Sequence, residues 1–204
     1  MIDLIEYKNV THSCWSLTQE LTVPNDDRSR LSLASLQLAQ EHHSSIVLLL
    51  EHRQYGSGFA LVRPLYEAFV RGVWLARIAT DKELALYQDD RQFSLKQLAV
   101  KVATQAHFED TNFAALAGRG LSAMHSYTHN GYLASVRRLT SDAIEPAYEA
   151  DEIREVLELA QLLGVLATAE ILEQATSVES VRVDEMQALV QGITMRHSSD
   201  SSAV

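Results

Sequence analysis

The stretch that decides the fold is residues 57–79, SGFALVRPLYEAFVRGVWLARIA, a long apolar run interrupted by a few charged side chains. Arg63, Glu67 and Arg71 are spaced i, i+4 and i+8, which places them on one stripe of a helix. The other positions are apolar on nearly every side, which is typical of a helix at the centre of a packed domain. Because buried charges need partners, we expect another segment to supply groups that satisfy this stripe.

Pro64 lies several residues inside this run. A proline within a helix lacks the backbone N–H, and its ring crowds the carbonyl group of Ala60, so a continuous helix from Ser57 to Ala79 would kink beside Arg63. The alternative is a helix that simply starts near Arg63. Upstream, Gly56 is expected to adopt the left-handed conformation that ends the preceding helix.

The chain of 204 residues is long enough for one domain with a sizeable core. Its 8 glycines and 3 prolines leave long apolar runs uninterrupted, which argues against an all-β design with frequent turns. We therefore predict an all-α fold, a single helical bundle of about six to seven helices. This domain covers residues 1–197, and the polar residues 198–204 form a disordered tail.

The negative charge of the chain is unevenly distributed. The formal net charge is −10, and the segment from Ser141 to Glu185, with 12 acidic residues and 2 arginines, accounts for all of it. Such acidity argues against broad, non-specific affinity for nucleic acid, which needs clustered cations. A local cationic pocket remains compatible with the sequence, because residues 53–77 contain four arginines and one glutamate. Arg137 and Arg138 could extend such a pocket, or they could belong to a solvated helix face.

Three features indicate a soluble cytoplasmic protein. The single cysteine, Cys14, excludes an internal disulfide and fits a reducing compartment. The N-terminal residues lack the pattern of a signal peptide, and the apolar runs are far shorter than the roughly 20 residues that span a bilayer.

No phosphate-binding loop, dinucleotide-binding glycine pattern or Gly-x-Ser-x-Gly elbow occurs, so no cofactor is predicted.

The best partner for the charged stripe is the segment Arg119–Gly131, RGLSAMHSYTHNG. His125 and His129 are spaced i, i+4 and share a helix face, where they could offer a base and a donor. A metal site would need further ligands, and the familiar His-Glu-x-x-His spacing is absent. Glu41, His42 and His43 form the other cluster of potential metal ligands. Because the familiar ligand spacings are missing, no metal site is predicted.

The spacing Arg119-x5-His125 resembles the Arg-x(4–6)-His motif of the HEPN superfamily of all-α domains. In the ribonuclease members the histidine deprotonates or orients the ribose 2′-hydroxyl group, and the arginine stabilises the phosphate charge. The resemblance implies metal-independent RNA cleavage at a composite site in a homodimer. Gly120 stands where catalytic members commonly carry a polar residue such as asparagine.

A broader resemblance covers residues 41–75 and 119–131, which look like an uncharacterised family of bacterial helical proteins. Its Arg-Pro-Leu-x-Glu helix corresponds to residues 63–67, and its Tyr-x-His-x-Gly element to Tyr127, His129 and Gly131. The serine expected two residues before the tyrosine is His125 here. In general layout, this family is similar to HEPN-like and abortive-infection proteins.

These resemblances imply a HEPN-like bacterial defence or toxin protein that acts as an endoribonuclease. The base would be His129 or His125, and Arg63 and Arg119 would hold the phosphate group. The predicted catalytic and ligand-binding residues are, respectively, His129, His125, Arg63 and Arg119, and Glu67, Arg71 and Tyr127. The alternative is a non-enzymatic binding or regulatory module. In that case the Arg/Glu/His cluster is structural or holds a small anion, and the acidic C-terminal helix contacts a basic protein partner.

Overall fold

The computed structural model of the protein describes residues 2–105 and 121–200. Regular secondary structure in these ranges is helical, with one isolated bridge between Leu139 and Ile144, which confirms the all-α prediction for this part of the chain. The bounds of the single domain stay a prediction. The helices are α1 Ile5–Thr18, α2 Asp27–Glu51, α3 Tyr55–Ala60, α4 Val62–Arg77, α5 Asp81–Gln88, α6 Leu95–Ala103, α7 Leu121–Thr128, α8 Tyr132–Val136, α9 Ala150–Gln174 and α10 Ser180–Asp200.

Helix α4 is the centre of the core. It packs against α2, α6, α7 and α9, and its Tyr66, Phe69 and Trp74 side chains are fully buried. The contact with α2 is especially close, because a Cβ atom added to Gly72 would lie 2.6 Å from Leu36 Cγ. Ser32 Oγ also donates a hydrogen bond to the Gly72 carbonyl oxygen at 2.8 Å. Gly72 therefore sets the distance between α4 and α2.

The residues before α4 form a separate short helix. α3 ends at Ala60 and α4 begins at Val62, so the two helices meet at Leu61. Pro64 thus lies in the first turn of α4, where a backbone N–H has no partner within the helix and its loss costs little. The expected kink within one continuous helix is replaced by this break. The alternative, a helix that starts near Arg63, agrees with the structure.

The left-handed residue at the end of α2 is Arg53, not Gly56. Arg53 has a φ angle of 57°, whereas Gly56 lies within α3 and no described glycine has a positive φ angle. The prediction for Gly56 was wrong because α2 ends at Glu51 and the left-handed turn that follows it falls on Arg53, three residues before Gly56. A non-glycine residue in this conformation carries some backbone strain.

The charged stripe lies along the edge of α4 rather than in the sealed core. Arg63, Glu67 and Arg71 are half-buried, while most of the helix between them is fully buried. The Arg71 side chain is 15% exposed and the Glu67 side chain is 32% exposed. Water at this edge lowers the cost of keeping the charges within the bundle. The expectation of a buried stripe is therefore corrected to one of partial burial.

The interface of α2 with α9 contains buried polar side chains. Gln40 Nε2 donates to Thr168 Oγ1 at 2.7 Å and to the Cys14 carbonyl oxygen at 3.2 Å. One turn away, the His43 ring packs directly on Gly164, and its two nitrogens have no hydrogen-bond partner among the described residues. Burial lowers the pKa of His43 to about 4, because the charged imidazolium would lose its water.

Within the ranges that the structure describes, no helix is both long enough and apolar enough to cross a membrane.

Replacing Gly164 by alanine should destabilise the fold. The added Cβ atom would lie 2.1 Å from His43 Nδ1, so the α2–α9 contact must open. We expect a loss of about 2 kcal/mol in the free energy of unfolding, measured by chemical denaturation. The matched control is Gly192→Ala, since no atom of the described residues lies within 4 Å of a Cβ atom at that position. This variant should be stabilised by up to about 1 kcal/mol through helix propensity, and equal effects at both positions would contradict the packing argument.

Stability should fall in acid through His43. The unfolded histidine titrates near the ordinary pKa of 6.5, whereas the folded one titrates at about 4. Between these values the unfolded state binds a proton that the folded state does not, so the stability present above pH 6.5 declines as the pH drops. The decline amounts to about 3 kcal/mol over this window. His43→Leu should remove this part of the pH dependence of unfolding, and the exposed-site control His12→Leu should retain it. Identical pH profiles for the wild type and His43→Leu would refute the assignment.

Candidate functional site

Arg63 and the two histidines meet at the protein surface. Arg63 lies in the first turn of α4, His125 lies in α7, and His129 follows the end of α7. Arg63 Nη1 is 3.2 Å from His125 Nδ1. The rings of His125 and His129 have centroids 4.4 Å apart at an interplanar angle of 52°. The fold therefore brings these three side chains together across a sequence separation of 62 residues.

The Arg63–His125 contact determines which imidazole nitrogen carries the proton. A guanidinium group has only donors, so His125 Nδ1 must accept the hydrogen bond and the proton of the neutral ring is on Nε2. Both histidines are exposed, and Arg63 is half-buried. The cluster thus presents a cation, an N–H donor and a second imidazole to an approaching ligand.

Helix α7 is held in place by its contacts with α3. Thr128 Oγ1 is 3.0 Å from the carbonyl oxygen of Ala60, the last residue of α3. The rings of Tyr127 and Phe59 pack edge to face with centroids 5.2 Å apart. Tyr127, predicted as a ligand-binding residue, is therefore also a packing residue that fixes the helix carrying His125.

The end of α7 depends on Asn130 and Gly131. Asn130 takes a φ angle of 51°, and Gly131 N donates to the Ser126 carbonyl oxygen at 2.7 Å. A Cβ atom on Gly131 would lie 2.5 Å from Ser126 Oγ and 3.1 Å from Ser126 Cα. Ser126 Oγ in turn accepts from Leu133 N at 3.2 Å. The glycine of the Tyr-x-His-x-Gly element is thus needed for close chain approach, and the serine against it is Ser126.

The other predicted site residues lie apart from the histidines or outside the described ranges. Arg71 Nη2 donates to Glu67 Oε1 at 2.5 Å, and the Arg71 guanidinium lies 5.9 Å from the centroid of the Tyr87 ring. Arg71 lines a different cleft, beside Tyr87 and Arg91. Glu67 thus pairs with Arg71 and not with the histidine cluster. Arg119 lies outside the described residues.

The described residues contain no group of three or more His, Cys, Asp or Glu side chains that could hold one metal ion. Of the Glu41-His42-His43 cluster, His43 is buried in the core and His42 is half-buried. Desolvation lowers the pKa of His42, an effect that the nearby Glu41 opposes.

A cavity of about 550 Å³ lies beside α7. It is formed where the end of α2 and helix α3 face α7, α8 and the segment before α9. Its lining includes two arginines, two tyrosines and several smaller polar side chains, among them Arg53, Arg138, Tyr127, Tyr148, Thr128 and Asn130. A second cavity, of about 740 Å³, shares Arg53 and Tyr148 with it. Tyr148 and Arg53 therefore form the wall between two openings.

Arg137 and Arg138, the two arginines that could extend a cationic pocket, have different surroundings. Arg137 forms an ion pair with Glu152 of α9, whereas Arg138 lines the cavity.

The sequence interpretation missed Arg53 and Tyr148 as site residues, because no local motif connects the end of α2 with a residue 95 positions later. Burial raises the pKa of Tyr148, with a smaller contribution from Tyr127 in the same direction, and Arg138 opposes the shift.

Comparison with known proteins identifies a family but not an activity. No curated protein and no solved structure matches the chain. Residues 36–193 match the model of a family of unknown function, DUF6988, and this range contains Arg63, both histidines of the cluster and the cavity lining. The match covers more than half of the chain. The protein is therefore a member of the DUF6988 family.

Proposed function

We propose that the protein is a HEPN-like, metal-independent endoribonuclease of the bacterial defence or toxin type. The observation that carries the proposal is the 3.2 Å contact between Arg63 and His125, on an open surface beside His129. RNA cleavage by the ribose 2′-hydroxyl group needs a base of near-neutral strength and a fixed positive charge at the phosphate group. Imidazole and guanidinium side chains supply these two functions without a metal ion.

In this mechanism His129 accepts the proton of the 2′-hydroxyl group. The 2′ oxygen then bonds to phosphorus while the bond from phosphorus to the 5′ oxygen breaks, and the 5′ oxygen takes a proton from water. The products are a 2′,3′-cyclic phosphate and a 5′-hydroxyl end. Arg63 stabilises the added charge on the phosphate oxygens, and the Nε2–H group of His125 donates a hydrogen bond to one of them.

The remaining parts of the proposal come from the resemblance. Arg119 would provide a second cation for the phosphate group, and a homodimer would form the complete site. Tyr127 would act by positioning α7, and Glu67 and Arg71 would bind the substrate farther along the edge of α4. The Glu67–Arg71 ion pair supports a positioning role at this edge rather than a direct chemical one.

Replacing His129 or Arg63 by alanine should lower the rate of RNA cleavage by about 100-fold or more, because each variant loses a group that acts on the transition state. The measurement is cleavage of a labelled single-stranded RNA in the presence of a chelator. Both side chains are partly or fully exposed, so the midpoint of thermal unfolding should change by only a few degrees.

The matched control is His12→Ala, which removes an exposed histidine from α1 and should leave cleavage unchanged. If the His129 and Arg63 variants unfold instead, the cluster serves packing and the enzymatic proposal fails. It fails as well if purified wild-type protein cleaves no RNA, with or without added metal ions. Binding of RNA without cleavage would favour the non-enzymatic module.

A further inference from the structure

The cavity beside α7 is cationic in an acidic protein. The chain has a net charge of −10, yet no aspartate or glutamate is among the described residues that line this cavity. Two arginines do line it, Arg53 at the end of α2 and Arg138 after α8. Such a local reversal of charge is a feature of sites that bind anions.

Both arginines are available to a ligand. Neither Arg53 nor Arg138 forms an ion pair within the part of the chain that the structure describes, whereas the adjacent Arg137 pairs with Glu152. Both side chains are exposed to solvent.

Tyr148 provides an unused hydroxyl group in the same wall. Its oxygen is buried and has no hydrogen-bond partner among the described residues. It would lie 3.4 Å from a Cβ atom on Gly56, and Gly56 also lines the cavity. A buried hydroxyl group without a partner is unfavourable, so a ligand oxygen at this position would remove a cost that the free protein bears.

We propose that this cavity binds the phosphate group of a nucleotide. Arg53 and Arg138 pair with the phosphate oxygens, and the Tyr148 hydroxyl group donates a hydrogen bond to one of them. Tyr127 and Tyr148, whose rings also pack against Phe59, border the part of the cavity that the base or sugar would occupy. The volume of about 550 Å³ lies within the range of small-molecule sites. The ligand is a free nucleotide or a nucleotide of an RNA strand, and binding here does not require cleavage at His129.

The test compares adenosine 5′-monophosphate with adenosine by isothermal titration calorimetry of the full chain. The wild type should bind the monophosphate saturably and at least about tenfold more tightly than adenosine, because the arginines contact only the phosphate group. The double variant Arg53→Gln, Arg138→Gln should lose at least about tenfold in affinity for the monophosphate. The control Arg30→Gln removes one exposed positive charge from α2, outside the cavity, and should change that affinity less than twofold.

Tyr148→Phe separates ligand binding from structural support. The variant keeps the ring and removes a hydroxyl group that has no described partner, so thermal stability should be unchanged or higher. Affinity for the monophosphate should fall at least about tenfold, the loss expected for one hydrogen bond to a charged group. An unchanged affinity would show that Tyr148 serves packing alone and would remove the hydroxyl group from the proposed site.

The proposal is overturned if the wild type shows no saturable binding of the monophosphate at millimolar concentration, or if Arg30→Gln weakens binding as much as the double variant does.

A dinucleoside monophosphate such as adenylyl-adenosine identifies the source of the phosphate group. Tighter binding of this ligand than of the monophosphate assigns the cavity to an internal phosphate of RNA, and weaker binding assigns it to a free or terminal nucleotide; both results support a phosphate site. His129→Ala should keep monophosphate binding, so failure of the ribonuclease proposal is distinguishable from failure of this one.

Discussion

The close approach of α4 to α2 is the constraint on which the rest of the structure depends. Gly72 has no side chain, so Leu36 can pack against the backbone of α4, and Ser32 can reach the Gly72 carbonyl oxygen at 2.8 Å. This approach buries the aromatic residues of α4 and leaves only one edge of the helix within reach of water. Dense packing of this kind transmits any change in one helix to its neighbours.

The same constraint determines where charge can be placed. A charged side chain on the buried faces of α4 would lose its water without a partner, so the stripe can exist only on the remaining edge. At the N-terminal end of that edge, α7 packs on α3 through Thr128 and brings His125 to Arg63. At the other end, Arg71 pairs with Glu67. The charged stripe therefore contributes to two different arrangements, an open cluster with histidine and a half-buried ion pair.

The limits of sequence interpretation are clearest at the two ends of α3. Pro64 indicated a kink within one helix. Proline is compatible with the first turn of a helix, however, and the helical segment is interrupted at Leu61 instead. Gly56 was the expected left-handed residue, whereas Arg53 takes this conformation because α2 ends at Glu51. Both differences arise because a helix boundary depends on which competing turn the tertiary packing selects.

The pattern of amino acids alone was enough to predict the all-α class, the central helix and the charged stripe along it. Apolar periodicity and i, i+4 spacing are local properties, and they require no knowledge of distant residues. The tertiary structure alone decided that Arg63 contacts His125 while Arg71 pairs with Glu67, and that Arg53, Arg138 and Tyr148 surround one cavity. These contacts join segments far apart in the chain, and their geometry follows from how the helices pack rather than from any short motif.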